Sequence, residues 1–123
     1  MKYLRKWNES LADDQIEELS DLFVEVSDEF GLNEAISDGT LNPPGQRPGD
    51  NGAWRLSRLS GVYTELFVQI NVEQVDVMKF ENSLEEFLRK VEKLGHRIER
   101  LWWRDLYKYD FMYRASRYMI KIW

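Results

Sequence analysis

Apolar positions along the first third of the chain recur with the period of a helix. Ile16, Leu19, Phe23, Val26 and Phe30 are three or four residues apart, and Leu22 widens the stripe. This spacing predicts an amphipathic helix over 13–30. Asp13 and Asp14 stand at its start, where carboxylates meet the positive end of the helix dipole. Gly31 suits a left-handed C′ position. Beyond Trp54 the period becomes two. Val62, Thr64, Leu66, Val68, Ile70 and Val72 alternate with Tyr63, Glu65, Phe67, Gln69 and Asn71, which predicts a strand with one strongly apolar face. Trp54 and Leu56 begin a shorter run before the turn pair Ser60-Gly61, so a hairpin is expected. Ser83 with Glu86 three residues on has the capping-box pattern. It opens a helix carrying Leu84, Phe87, Leu88, Val91 and Leu94, with Gly95 as its stop.

After Gly95 two periods compete. Ile98, Leu101 and Trp102 would extend the helical stripe if Gly95 were tolerated inside it, at a cost of roughly 1 kcal/mol. Alternation of Ile98, Arg100 and Trp102 with Glu99, Leu101 and Trp103 favours a strand, because a glycine stop followed by a β-branched residue is a natural helix exit. Tyr118, Ile120 and Ile122 alternate with Met119, Lys121 and Trp123 in a terminal strand over 117–123. The order α-β-β-α-β-β predicts an α+β domain spanning 1–123, an antiparallel sheet with its helices on one face. Moving the last strand to the front would give the β-α-β-β-α-β order of a ferredoxin-like fold, so a permuted ferredoxin-like arrangement is expected. Residues 1–10 form an N-terminal segment. Residues 32–53 read as a long Gly/Pro-rich loop that holds all three prolines.

Composition narrows the class. Hydrophobic residues make up 43% and charged residues 32% of the 123 positions, which is ordinary for a globular domain. Aromatics at 14%, with five Trp, are high for so short a chain. Large rings fill cores, but they also mark recognition surfaces. Cysteine is absent, which excludes disulfides, thiolate metal sites and a cysteine nucleophile. No apolar stretch approaches the roughly 20 residues that span a bilayer, and the first ten residues lack the apolar run of a signal peptide. A soluble, cytoplasmic protein without a membrane role is expected.

The net charge of −5 conceals a split. Residues 1–53 carry four bases and twelve acids, whereas residues 54–123 carry thirteen bases and ten acids. Asp14, Glu17, Glu18, Asp21, Glu25 and Asp28 form an acidic face on the first helix. A bare helix face offers no loop to wrap a cation, and the calcium-loop pattern is missing, so no metal or other cofactor is expected. Like charges at i,i+4 repel by a few tenths of a kcal/mol, and a basic partner surface would relieve that repulsion. The C-terminal stretch places Arg97, Arg100, Arg104, Arg114 and Arg117 among Trp102, Trp103 and Tyr107. Cations neutralise phosphates and aromatic faces stack on bases. Overall acidity and the absence of a nucleic-acid-binding motif argue against double-stranded nucleic acid. His96, beside Gly95, suits the negative end of the preceding helix. No nucleophile elbow, Walker loop or dinucleotide fingerprint is present, so catalysis is not expected.

The opening MKYLRKWNES resembles that of small tailed-bacteriophage accessory proteins. Met1, Lys2, Leu4, Lys6, Trp7, Glu9 and Ser10 carry the resemblance, with Trp7 where Phe is more usual. It implies a phage protein made in the infected host cell that acts by binding. The leading expectation is therefore a non-catalytic protein that binds a host or phage macromolecule, most readily a protein partner or a second copy of itself. The alternative is a binder that sequesters a nucleotide-like, phosphate-bearing molecule through the basic aromatic segment, with Arg100 and Arg104 lining its pocket. A metal-dependent hydrolase using the helix carboxylates is a third, weaker class.

Overall fold

The computed structural model describes residues 7–35, 50–59, 62–108 and 114–123. The turn Ser60-Gly61, most of the Gly/Pro-rich segment and the side chains of Asp13 and Asp14 lie outside the described residues. The first amphipathic stripe forms α1 (Trp7–Phe30), which begins two turns before the predicted start and takes in part of the N-terminal segment. Leu19, Phe23 and Val26 are buried. Gly31, at φ +66°, ends the helix, and the Leu32 amide donates back to the Ser27 carbonyl at 2.9 Å. That reach across a left-handed residue closes the last turn.

Two corrections apply to the segment read as loop over 32–53. Asn33–Glu34 form a short strand, β1, parallel to the next one, and Gly52 and Ala53 already belong to β2 (Gly52–Leu59). β2 then pairs antiparallel with β3 (Tyr63–Asn71), the predicted alternating strand, whose Thr64, Leu66, Val68 and Ile70 are buried.

The second helix, α2 (Val77–Lys93), starts six residues before Ser83. Its N-cap is Asp76, whose carboxylate accepts from the Lys79 amide at 3.2 Å. Ser83 lies mid-helix and donates to Glu29 of α1. The predicted stop holds. Gly95 sits at φ +100°, and the His96 and Gly95 amides donate to the Val91 and Glu92 carbonyls, the paired bonds of a Schellman cap.

The chain leaves as strand. β4 (Ile98–Lys108) and β5 (Arg114–Ile122) complete a mixed five-stranded sheet in the order β1-β2-β3-β5-β4. β3 and β4, joined through α2, are parallel with β5 antiparallel between them. Apart from the two-residue β1, these are the order and directions of the permuted ferredoxin-like arrangement. Both helices pack on one face. There Phe23, Trp54, Phe80, Phe87 and Tyr118 stack at centroid distances of 4.8–5.2 Å. Trp54 also donates its indole N–H to Ser27, which in turn donates to the Leu32 carbonyl. These bonds satisfy the polar atoms that α1 brings into the core.

Candidate functional site

Strand alternation leaves the second face of the sheet without a described element packed on it. Four strands contribute to it in rows. Tyr63 and Trp123 lie at one end, their rings 5.9 Å apart. Glu65, Lys121 and Glu99 form the next row, followed by Arg55, Phe67, Met119 and Trp102, and then Arg117 and Asp105 beside the buried Ala53 and Gln69. Tyr107 closes the far end beside Ala115.

Cations thread between these rings. Arg117 lies over both Trp102 and Tyr107, at 5.0 and 4.5 Å from the centroids, and donates to Asp105 at 3.0 Å. Lys121 lies over Tyr63 at 4.6 Å, Arg97 over Trp123 at 4.3 Å, and Arg55 approaches Phe67 at 6.0 Å. Such contacts hold long cationic side chains flat against aromatic faces. These side chains are therefore held in place on the sheet.

Its charge is nearly balanced. Arg55, Arg97, Arg117 and Lys121 meet Glu65, Glu99 and Asp105 on the same face. The basic excess of the second half of the chain is thus largely cancelled where the rings are.

The residues singled out from sequence divide between the two faces. Arg97, Trp102, Tyr107 and Arg117 lie on the open side. Arg100, Trp103 and Arg104 lie on the helix side. Arg100 makes a two-oxygen contact with Glu85 of α2 at 2.9 and 3.0 Å, and Trp103 stacks edge-on against Tyr118 at 5.1 Å. Arg114 stands at the end of the sheet with Val72, Val77, Leu106, Tyr107 and Lys108 around a concavity of about 420 Å³. Arg100 and Arg104, proposed above as lining for a phosphate pocket, instead tie β4 to α2.

Two register shifts in β4, between Arg100 and Trp102 and between Trp102 and Asp105, cause this division. Strict alternation would put Arg100, Trp102 and Arg104 on one side. The bulges turn Trp102 to the open face and return Arg104 to the helices at φ +56°. Arg104 donates from Nε to Glu81 Oε2 at 2.8 Å and from Nη2 to Oε1. Glu81 also accepts from the Tyr118 hydroxyl at 2.7 Å, and that hydroxyl accepts from Ser116 at 3.0 Å. The bonds from Arg104 hold the Glu81 carboxyl below the usual carboxylate range; burial opposes them and the Tyr118 bond assists. Burial, with the neighbouring Glu81 carboxylate, pushes the Tyr118 phenol up. This network, buried at Glu81 and Tyr118 and half-exposed at Arg104, pins the bulge and so fixes where Trp102 points.

On the opposite side of the molecule, Glu17, Glu18, Asp21, Glu25 and Asp28 are exposed along α1, and the side chain of Asp14 is outside the described ones. Glu25 pairs with Lys90 of α2 at 3.3 Å. Among the described residues no group of three or more His, Cys, Asp or Glu is arranged to hold a metal ion. His96 has Nδ1 2.8 Å from the Trp123 carbonyl, which joins the helix exit to the end of the last strand. Among the described residues no helix is long and apolar enough to cross a membrane.

Arg55, Tyr63, Phe67, Met119 and Trp123 belong to the face but are not among the sequence-derived candidates. Their signal was the aromatic character of the outward positions in β3, where a solvated strand would carry polar residues. Neither a family model, nor a curated protein, nor a solved structure matches the chain.

Proposed function

We propose that the protein is a non-catalytic binding protein that docks a protein partner on the open face of its sheet. Together with the phage-like opening residues, this gives a phage accessory protein that acts on a host or phage macromolecule in the infected cell. One observation carries the reading: five rings on one sheet face, Tyr63, Phe67, Trp102, Tyr107 and Trp123, with Arg97, Arg117 and Lys121 lying over them and Arg117 paired with Asp105. Aromatic and Arg enrichment with little net charge is the composition of a protein interface. A polyanion would gain little here, since nucleic-acid affinity grows with the number of uncompensated cations.

The test compares the native protein with a Trp102→Ala, Lys121→Ala variant as bait in host lysate at physiological salt. The native face is expected to retain a defined protein that the variant loses. Retention of the same proteins by both would remove the open face from the function.

A small anionic ligand is the second reading. The concavity of about 420 Å³ has an apolar lining with Lys108 and Arg114 beside it, and its size is within the range of ligand pockets, roughly 300–1,000 Å³. A nucleotide that raises the melting temperature would favour this reading over the first.

A further inference from the structure

We infer that the partner of the open face is a second copy of the same chain, packed sheet to sheet about a twofold axis that runs along the strands between β3 and β5. This rests on the reading of that face as a protein-docking surface.

The argument is self-complementarity. A twofold axis in that position keeps each row opposite itself while exchanging β3 with β5 and β2 with β4. Rows that are Glu65 beside Lys121, Phe67 beside Met119, and Tyr63 beside Trp123 within one copy then meet their exchanged counterparts in the other. Glu65 faces the second copy's Lys121, Phe67 faces Met119, Tyr63 faces Trp123, and Arg55 faces Trp102. Each pairing occurs twice, as an isologous interface requires. An axis across the strands through the Phe67 row fails the same check, because it sets Lys121 against Arg117 and Glu99 against Asp105.

Size makes the association weak. Four strands about 4.8 Å apart and the three rows from Tyr63 to Phe67, about 6.7 Å apart, give a footprint of roughly 400 Å² per copy, because Ala53, Gln69 and Ala115 farther along the face are already buried. Two copies would bury about 800 Å², below the roughly 1,200 Å² of a stable specific interface, so association should be concentration-dependent. Aligned sheet packing accepts the twist of each sheet. The acidic outer face of α1, on the other side of the sheet, would point away from the partner in both copies.

Edge-to-edge pairing through β4 is the competing mode. Its two bulges and the left-handed Arg104 interrupt the ladder, which is how edges avoid such pairing.

The test uses Lys121→Glu and Glu65→Lys as separate proteins, followed by sedimentation velocity over a concentration series. Each alone sets like charges opposite each other across the axis and should associate roughly tenfold or more weakly than the native chain. An equimolar mixture restores opposite charges only between copies, so native-level association should return. A defect within one subunit would not be repaired by mixing. A native chain that stays monomeric across the series, or a mixture that stays as weak as its components, would overturn the inference. In that event the bait experiment still decides whether another protein docks there. Should either charge reversal fail to fold, Arg55→Ala replaces it: weaker association is expected, and unchanged association would overturn the twofold pairing.

Discussion

At the scale of single residues, Glu81 decides the geometry of the open face without being on it. Its carboxylate binds the one described non-glycine residue with a left-handed backbone, Arg104, and accepts from the buried Tyr118 hydroxyl. Because these bonds favour the charged form, Glu81 holds fewer protons folded than unfolded in the acid range. Its contribution to stability is therefore complete above the ordinary glutamate value of about 4.3. It is lost as pH falls through the lowered folded value. Glu81→Gln should be less stable than the native chain at pH 7, and the gap should close on acidification. Chemical denaturation at several pH values measures it. A gap that does not vary with pH would assign the role of Glu81 to packing alone. None of this was legible in the sequence, where Glu81 is one acid among ten in the second half of the chain. Only the fold brings it beside Arg104 and Tyr118.

At the scale of elements, periodicity located what it could and missed what depends on neighbours. The apolar core positions Leu66, Val68, Ile70, Tyr118, Ile120 and Ile122, and Gly95 as the stop of α2, follow from alternation and conformational preference, whereas the burial of Gln69, Asn71 and Ala115 and the exposure of Val62 do not. The start of α2 does not. Ser83-x-x-Glu86 has the right residues for a cap, yet Val77 and Phe80 extend the stripe of Leu84 and Phe87 by nearly two turns. The chain enters the helix earlier because a turn on Asn71 redirects it. The Gln74 and Val75 amides donate to the Asn71 carbonyl, and the Glu73 amide donates to its side chain. Asp76→Ala should thus cost about 1 kcal/mol, the usual value of an N-cap, whereas Ser83→Ala should cost clearly less. Parallel thermal melts compare them, and the reverse ranking would contradict the cap assignment. The bulges in β4 were invisible for a related reason. No glycine marks them, and what holds them is a contact with another element.

At the scale of the whole molecule, the charge split becomes a matter of sides. Carboxylates concentrate on the outer face of α1, while the basic second half spreads its cations over both faces of the sheet and pairs Arg100, Arg104 and Arg117 with its own carboxylates. The molecule therefore presents an acidic, solvated side and a nearly neutral aromatic side. That removes the simplest attraction, an acidic helix of one copy against a basic sheet of another, and leaves the open face as the surface proposed for docking.

Methionine methyl resonances report on the two sides separately. Met119 sits in the central row between Phe67 and Trp102, and Met78, 64% exposed at the start of α2, lies on the helix side. In spectra of the methyl-labelled chain recorded over a concentration series, the Met119 signal should shift and broaden while that of Met78 stays fixed. Movement of Met78, or of neither, would contradict association through the open sheet face.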